Sequence, residues 1–510
     1  MAATGTGKTV ISAFDYKNYV KKHPQEQNRL LFIAHRQEIL KQSLYTFRGV
    51  LKDENFGELF VGDYVPTKAD HLFMSIQTFN SRDWTEKTDP DYYDFIVVDE
   101  FHHASAKSYQ KLLNYYQPKI LLGLTATPER MDGRDITTYF NHRIAAEIRL
   151  PEAINRGPLC PFQYFGVTDP ADLSKIHWRQ GGYDTNELSN LYTIDQHNAS
   201  RRLNAIVGAV EKYTTDISDV IGLGFCVSVK HAEFMADSFN SLGIKSVALS
   251  GQSPGEARSK AIEDLRAGEL RFIFTVDIFN EGVDIPEVNT ILLLRPTESV
   301  TIFLQQIGRG LRLTEGKDEL TVLDFIGQAH KNYSYEDKFT ALLGSSRKGV
   351  AKEIKEGFIS LPRGSSIRLE KIVQQYVLNN IKSSFSTLYG LRDRIASFEQ
   401  ASGMKLTMPR FIDYYHLDPR VLYRSSGKSF SRLTVEAGVW ADFQEPVEEA
   451  MSKAFFRICD IDSRRWIEFL LDLLNNLDNP QIEQMTAAEK RMLEMFRYTV
   501  WTEELESYGY

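Results

Sequence analysis

Short β-rich runs alternate along this chain with longer stretches whose apolar positions recur at helical spacing. Leu30–Ala34, Leu72–Ile76, Phe95–Val98 and Ile120–Leu124 are such runs in the first part of the chain. Runs this short, with little polar alternation, suit strands buried on both faces of a parallel sheet, and the amphipathic stretches between them suit covering helices. Residues 149 to 200 break the rhythm with Pro and Gly, as in Leu150-Pro-Glu-Ala-Ile154 and Gly181-Gly182. A second alternating unit begins near Arg201, with strands expected at Val220–Val227, Lys245–Leu249, Leu270–Phe274, Thr290–Leu294 and Leu320–Leu323. Beyond about residue 345 the pattern turns helical with scattered aromatics, and Trp466–Leu474 reads as a helix with one buried face. The pattern predicts an α/β protein with two doubly wound parallel sheets and a mainly helical C-terminal region. The expected divisions are 1–148, 149–200, 201–345 and 346–510.

Candidate chemistry lies where these runs end. Ala2 to Thr9 read A-A-T-G-T-G-K-T. Glycines let backbone N–H groups close around phosphate oxygens at a helix start, so Gly5, Thr6 and Gly7 would cradle a nucleotide. Lys8 is placed for the β- and γ-phosphates and the Thr9 hydroxyl for Mg²⁺. Ala2 stands where the strict pattern has a first glycine, and a plain Gly-rich turn is the alternative. The apolar run Phe95–Val98 leads into Asp99 and Glu100, at the strand end where open α/β sheets bind ligands. Two adjacent carboxylates there are costly unless compensated. Asp99 would hold Mg²⁺ and Glu100 would orient and deprotonate a water, the alternative being an acidic turn that caps the next helix.

Leu121-Leu-Gly-Leu-Thr-Ala-Thr127 is a further strand ending in hydroxyls, where Thr125 and Thr127 could bond the His102 region. Ordinary turn chemistry would look similar. In Gln305-Gln-Ile-Gly-Arg-Gly-Leu-Arg312, Arg309 and Arg312 share a face if the segment is helical. Gly308 and Gly310 are poor helix formers but permit close approach, and the guanidiniums could clamp a phosphoryl group.

Taken in order, A-T-G-T-G-K-T, D-E-F-H, T-A-T and Q-Q-I-G-R-G-L-R resemble the superfamily 2 helicases of the DEAD/DEAH-box class. The resemblance covers roughly residues 1 to 330 and implies two RecA-like domains with ATP and Mg²⁺ between them. Within that family, Gly282 and Asp284 match a motif linking the ATP site to the nucleic-acid track, and Gln305 joins Arg309 and Arg312 at the nucleotide. His102, Thr125, Ala126 and Thr127 match coupling positions. Ala34, His35, Arg36, Gln77, Thr78, Ser250, Gly251 and Thr275 match positions that touch the nucleic-acid backbone. The motor is most similar to type III restriction subunits and XPB-type helicases, which the segment Leu361–Glu370 also resembles. That likeness implies DNA rather than RNA, with a nuclease as a partner or as a domain ahead of the motor. A phosphate loop in this family follows a strand, which these residues lack. The chain is therefore expected to be an N-terminally truncated member, and a binding module with a vestigial motor stays open as the competing reading.

Composition changes this picture little. The 510 residues suffice for about three domains, and 42% hydrophobic with 25% charged content is ordinary for a globular enzyme. Cys160, Cys226 and Cys459 form no CxxC pair, which excludes a zinc site and a disulfide framework as the organising chemistry. No apolar run approaches the ~20 residues of a membrane span, so the expected compartment is cytoplasmic. The net charge of −8 argues only against indiscriminate charge-driven binding, since a strand-gripping track can rely on backbone N–H groups, hydroxyls and a few arginines. Phe411, Tyr414, Tyr415, Tyr423 and Trp440 could stack bases but are expected mainly as core, and the Lys/Arg residues of 345–349 as a solvated linker.

Overall fold

The computed structural model describes the chain apart from residues 105, 127–135, 142, 180–181, 277–284, 331–332, 345–348, 385–387, 403, 416, 460, 462, 477–481 and 501–510. Two compact units divide it: Met1–Gly344 with Gly357–Val377, and Ser345–Glu356 with Leu378–Tyr510.

The first unit holds two parallel sheets. Strands β1 (Leu30–Ala34), β2 (Glu58–Phe60), β3 (His71–Ser75), β4 (Phe95–Val98) and β5 (Ile120–Gly123) lie in the order β2-β3-β1-β4-β5. Helices α1 (Lys8–Lys22), α2 (Gln37–Leu51), α3 (Ile76–Ser81) and α4 (Lys107–Tyr115) cover them. Successive side chains of β1 point to opposite faces. Leu30, Phe32 and Ala34 join Ala13, Tyr16 and Tyr19 of α1, whereas Leu31 and Ile33 join Phe79 of α3 and Leu112 of α4. This double burial is why the strands carry continuous apolar runs.

The second sheet has seven parallel strands: β6 (Phe162–Asp172), then, beyond a two-strand ribbon of β7 (Trp178–Arg179) and β8 (Gly182–Tyr183), β9 (Gly222–Phe225), β10 (Ser246–Leu249), β11 (Phe272–Thr275), β12 (Thr290–Leu293), β13 (Leu320–Gln328) and β14 (Ser366–Leu369). Their order is β10-β11-β9-β12-β13-β6-β14. The covering helices are α5 (Leu150–Asn155), α6 (Thr185–Thr193), α7 (Gln196–Tyr213), α8 (Val229–Ser241), α9 (Gly255–Arg266), α10 (Val300–Gly308) and α11 (Tyr335–Leu343). Ser228 and Ser299 cap α8 and α10 by accepting from the amides of His231 and Ile302.

Two of these strands come from outside residues 201–345. Gly166 and Pro170 disguise β6, because both punctuate a strand pattern. The sheet tolerates Pro170 where the β6–β13 register shifts, between the pairings of Thr168 with Ile326 and Asp172 with Gln328. The Leu361–Glu370 segment supplies β14, and the Glu370 carboxylate accepts from the Thr168 amide at 2.9 Å and hydroxyl at 2.6 Å.

The second unit is helical, including Leu388–Ser402, Met408–Tyr415, Pro419–Ser426, Phe430–Glu436, Glu448–Ile458, Arg464–Asn475 and Ala487–Val500. Phe411, Tyr414, Tyr415 and Tyr423 are buried, as core aromatics should be, whereas Trp440 is exposed. The helix expected around Trp466–Leu474 forms, but its buried face does not. Among its described residues only Leu470 is buried, and Ile467, Leu471 and Leu474 are exposed. The basic residues of 345–348 lie outside the described residues.

A buried ion pair fixes α7 to the ends of β6 and β12. Arg202 Nε donates to Asp169 at 2.8 Å and Nη2 to the Leu294 carbonyl at 2.7 Å, while the guanidinium lies 3.8 Å from the centre of the Tyr192 ring. Burial and the Arg202 charge hold the adjacent His231 well below the usual imidazole pKa, hence neutral. Asp169→Ala would strand the guanidinium, and a loss of about 3–5 kcal/mol is expected in urea unfolding; a midpoint unchanged from wild type would contradict this.

Candidate active site and nucleic-acid face

The Gly5–Thr9 loop stands at the start of α1. Gly5 and Gly7 adopt φ of 89° and 82°, the left-handed region that glycine enters without cost. Gly7 is the N-cap of α1 and brings no side chain to its amides, leaving the helix start to an anion. Thr6 closes the loop by donating its hydroxyl to the Ala3 carbonyl at 2.7 Å, and Lys8 Nζ donates to the Ala2 carbonyl at 3.3 Å. The residues leading into the loop are anchored: Ala2 N–H donates to Thr125 O at 3.0 Å and Ala3 N–H to Ile148 O at 2.9 Å. The first residues thus lie beside the continuation of β5, an edge strand of the described sheet.

Asp99 and Glu100 follow β4 and are both buried. Glu100 has φ of 49°, a strained value for a residue with a side chain, and its N–H donates to Asp99 Oδ1 at 3.0 Å. That turn swings the Glu100 carboxylate toward His102, whose Nδ1 lies 3.2 Å from Glu100 Oε2 and 3.4 Å from Thr125 Oγ1. Phe101 N–H donates to Leu124 O at 2.8 Å, fastening the turn to the end of β5. Glu100, His102 and Thr125 are thus brought together. Ala126 follows Thr125, and Thr127, Gly282 and Asp284 lie outside the described residues.

The second sheet closes on the loop through α10. A Cβ added to Gly308 would sit 2.6 Å from Thr4 Cβ, and one added to Gly5 would sit 3.3 Å from Arg312 Cγ. The Gly308 backbone therefore meets the Thr4 side chain at a spacing that leaves no room for a Cβ, and Gly5 faces the stem of Arg312. The expected shared helical face of the arginines does not form, because α10 ends at Gly308. Arg309 is its C-cap, and Arg312 lies in an extended bridge with Leu159. Gln305 is buried on α10.

The residues matched to the nucleic-acid track separate into two groups. In the first sheet, Ala34 ends β1, His35 and Arg36 lead into α2, and Gln77 Nε2 donates to the His35 carbonyl at 3.2 Å. Thr78 donates its N–H to Ser75 Oγ at 3.0 Å, which caps α3. In the second sheet, Ser250 and Gly251 follow β10, and Thr275 ends β11 fully buried. Sequence spacing gave no hint of one contact between the groups: Arg258 of α9 lies 3.7 Å from Glu38 of α2.

As for a metal, the oxygen donors of Thr9 and Asp99 suit a hard cation. Among the described residues no cluster of three or more His, Cys, Asp or Glu could hold an ion alone. A Mg²⁺ ion held by these residues would take its remaining ligands from phosphate oxygens and water.

Two parallel sheets, with a Gly-Lys-Thr loop opening the first helix and an arginine-bearing helix end on the second sheet, make a pair of RecA-like domains. The family model "Type III restriction enzyme, res subunit" matches residues 1–130, and "Helicase conserved C-terminal domain" matches 212–314. The two matched stretches are thus similar to a restriction-subunit domain and to a helicase C-terminal domain, and the relatives are ATP-dependent helicases and restriction-enzyme subunits. It is 30% identical over 336 residues to IRC3 of Saccharomyces cerevisiae, named as an ATP-dependent helicase, covering 64% of this chain and 48% of that protein. The Type I restriction enzyme EcoAI endonuclease subunit of Escherichia coli is 27% identical over 353 residues, or 63% of this chain and 42% of that subunit. The Type ISP restriction-modification enzyme LlaBIII, solved bound to DNA, superposes with a TM-score of 0.53 at 14% identity, covering all of this chain and 39% of that one. The chain thus spans about half the length of the curated relatives it matches.

The Gly308 contact makes a sharp expectation. Gly308→Ala would push the arginine-bearing helix end off the loop, lowering ATP turnover by on the order of 10²-fold, the cost of misplacing catalytic groups by about 1 Å. Steady-state phosphate release, with circular dichroism to confirm folding, measures this; wild-type turnover would show the contact to be dispensable.

Proposed function

We propose that this chain is a nucleic-acid-stimulated ATPase that translocates along or unwinds DNA. The observation that carries the reading is the approach of Thr4 and Gly5 to Gly308 and Arg312, which assembles one site from two sheets. On this reading residues 1–148 form the ATP-binding domain, 201–345 completed by β6 and β14 form the second motor domain, and the helical residues beyond 377 are an accessory region. The loop from Gly5 to Thr9 grips the phosphates of ATP, and Mg²⁺ held by Thr9 and Asp99 neutralises their charge. Glu100 orients the attacking water, and Arg309, Arg312 and Gln305 stabilise the charge developed in the transition state. Positioning and electrostatics suffice, without a covalent intermediate.

Because neither sheet holds every part, turnover depends on how the two domains sit, and a strand spanning both would favour the productive arrangement. The strand would touch Ala34–Arg36, Gln77, Thr78, Ser250, Gly251 and Thr275. His102, Thr125, Ala126 and Thr127 would couple it to the nucleotide, and Gly282 and Asp284 would link site and track. Likeness to restriction subunits favours DNA over RNA, a nuclease as partner or neighbouring domain, and the cytoplasm as the place of action. No helix among the described residues is long and apolar enough to cross a membrane.

Phosphate release with single-stranded DNA, duplex DNA and RNA tests the reading against Lys8→Ala. DNA should stimulate turnover in the wild type and not in the variant. Glu100→Gln should still bind ATP but lose hydrolysis by on the order of 10²–10⁴-fold, the usual contribution of a general base. Stimulation by RNA alone would overturn the DNA assignment, and near-wild-type hydrolysis by Glu100→Gln would remove Glu100 from its role.

A further inference from the structure

The contacts that begin at Glu100 do not stop at His102. The rings of His102 and His103 lie with centroids 4.2 Å apart, and His103 meets His35 at 5.5 Å with the ring planes 66° apart, edge to face. His35 in turn accepts a hydrogen bond from Gln77 on its carbonyl. An unbroken series of contacts therefore joins Glu100, beyond β4, to the start of α2 and to α3. Its far end is the Ala34–Arg36 and Gln77–Thr78 group.

The backbone gives this series a way to move. His103 N–H donates to the Glu100 carbonyl at 2.9 Å, and the His103 carbonyl accepts from Ala106 N–H at 2.9 Å. His103 is thus mounted on the strained peptide of Glu100 itself. A residue with a side chain holds φ of 49° only when its surroundings over-determine it, so a change of charge or ligand at Glu100 can release the turn. Release would shift the base of His103, and the His103 ring would press on or withdraw from His35. Metal binding does not account for the three imidazoles, since among the described residues no group of three His, Cys, Asp or Glu is placed to hold an ion. Edge-to-face packing does account for the His35–His103 geometry.

We propose that His103 is a positioning residue that couples the Glu100 turn to the His35–Gln77 segment, so that the state of the nucleotide site sets the geometry of the first-sheet part of the track. The inference rests on the ATPase reading above. Coupling travels through ring packing, which needs the shape of an aromatic side chain and not its proton. A demonstrated two-state response, rather than the contacts alone, is what establishes such a route.

Hydrogen exchange on the full chain, without nucleic acid, provides it. Saturating Mg²⁺ with a non-hydrolysable ATP analogue should protect residues 3–12 and alter exchange at 31–40 and 72–82 in the wild type. His103→Ala should keep the first effect and lose most of the second, and His103→Phe should restore it. In ATP turnover with single-stranded DNA, His103→Ala should lose about fivefold in stimulation, mid-range for a coupling residue, with the KM for ATP moved less than about twofold. A wild-type response at 31–40 and 72–82 in His103→Ala overturns the inference, as does a wild type that responds at 3–12 only. Absence of protection at 3–12 in every protein overturns the ATPase reading itself, and the inference falls with it.

Discussion

The close approach of two loops from different sheets is the constraint on which the rest depends. Thr4 and Gly5 can meet Gly308 and the stem of Arg312 only because glycine occupies one partner of each contact. The contact brings the stem of Arg312 against the loop that opens α1. The first sheet must therefore deliver a helix N-terminus, which β5 and Ile148 secure through hydrogen bonds to Ala2 and Ala3. The second must deliver the end of α10 to the same point.

Buried polar groups hold α10 in place. Asp324 of β13 accepts from Tyr164 and from Lys338 Nζ, and the ammonium of Lys338 lies 4.9 Å from the centre of the Phe303 ring on α10. At the start of that helix, Tyr333 donates to the Thr297 carbonyl at 3.1 Å, and the Thr297 hydroxyl lies 3.4 Å from Gln306 Oε1. A charge this deeply buried is tolerated only when paired and hydrogen-bonded, so the network fixes one position for the elements it joins. The Arg202–Asp169 pair does the same for α7. The second sheet gains β14 beyond β13 and β6, so the segment after residue 345 contributes a strand to that sheet.

Local pattern carried much of the fold. Apolar runs located β1, β3, β4 and β5 and most strands of the second sheet to within a few residues; β1 and β4 are apolar throughout because both faces are buried, whereas the edge strand β5 is apolar yet partly exposed. It missed β2, which is short, β6, which carries Pro170 in a register shift, and β14, an edge strand holding Arg368. Periodicity also cannot say whether an apolar stripe finds a partner, hence the exposure of Ile467, Leu471 and Leu474. In the candidate site, the loop at the start of α1 and the carboxylate pair after β4 were legible as local features because each is contiguous in sequence.

What the sequence determined by itself was therefore confined to short segments: the glycine-rich loop that opens α1, the carboxylate pair after β4, the arginine-bearing glycine segment, and the α/β pattern around them. Tertiary structure alone decided which segments meet. Gly308 against Thr4, Arg258 beside Glu38, and His103 between His102 and His35 pair residues whose separation along the chain bears no relation to their distance in space. Arg309 and Arg312 show the same limit at short range. Their spacing suited one helical face, but the helix ends at Gly308, where the Thr4 side chain of the first sheet's loop leaves no room for a Cβ.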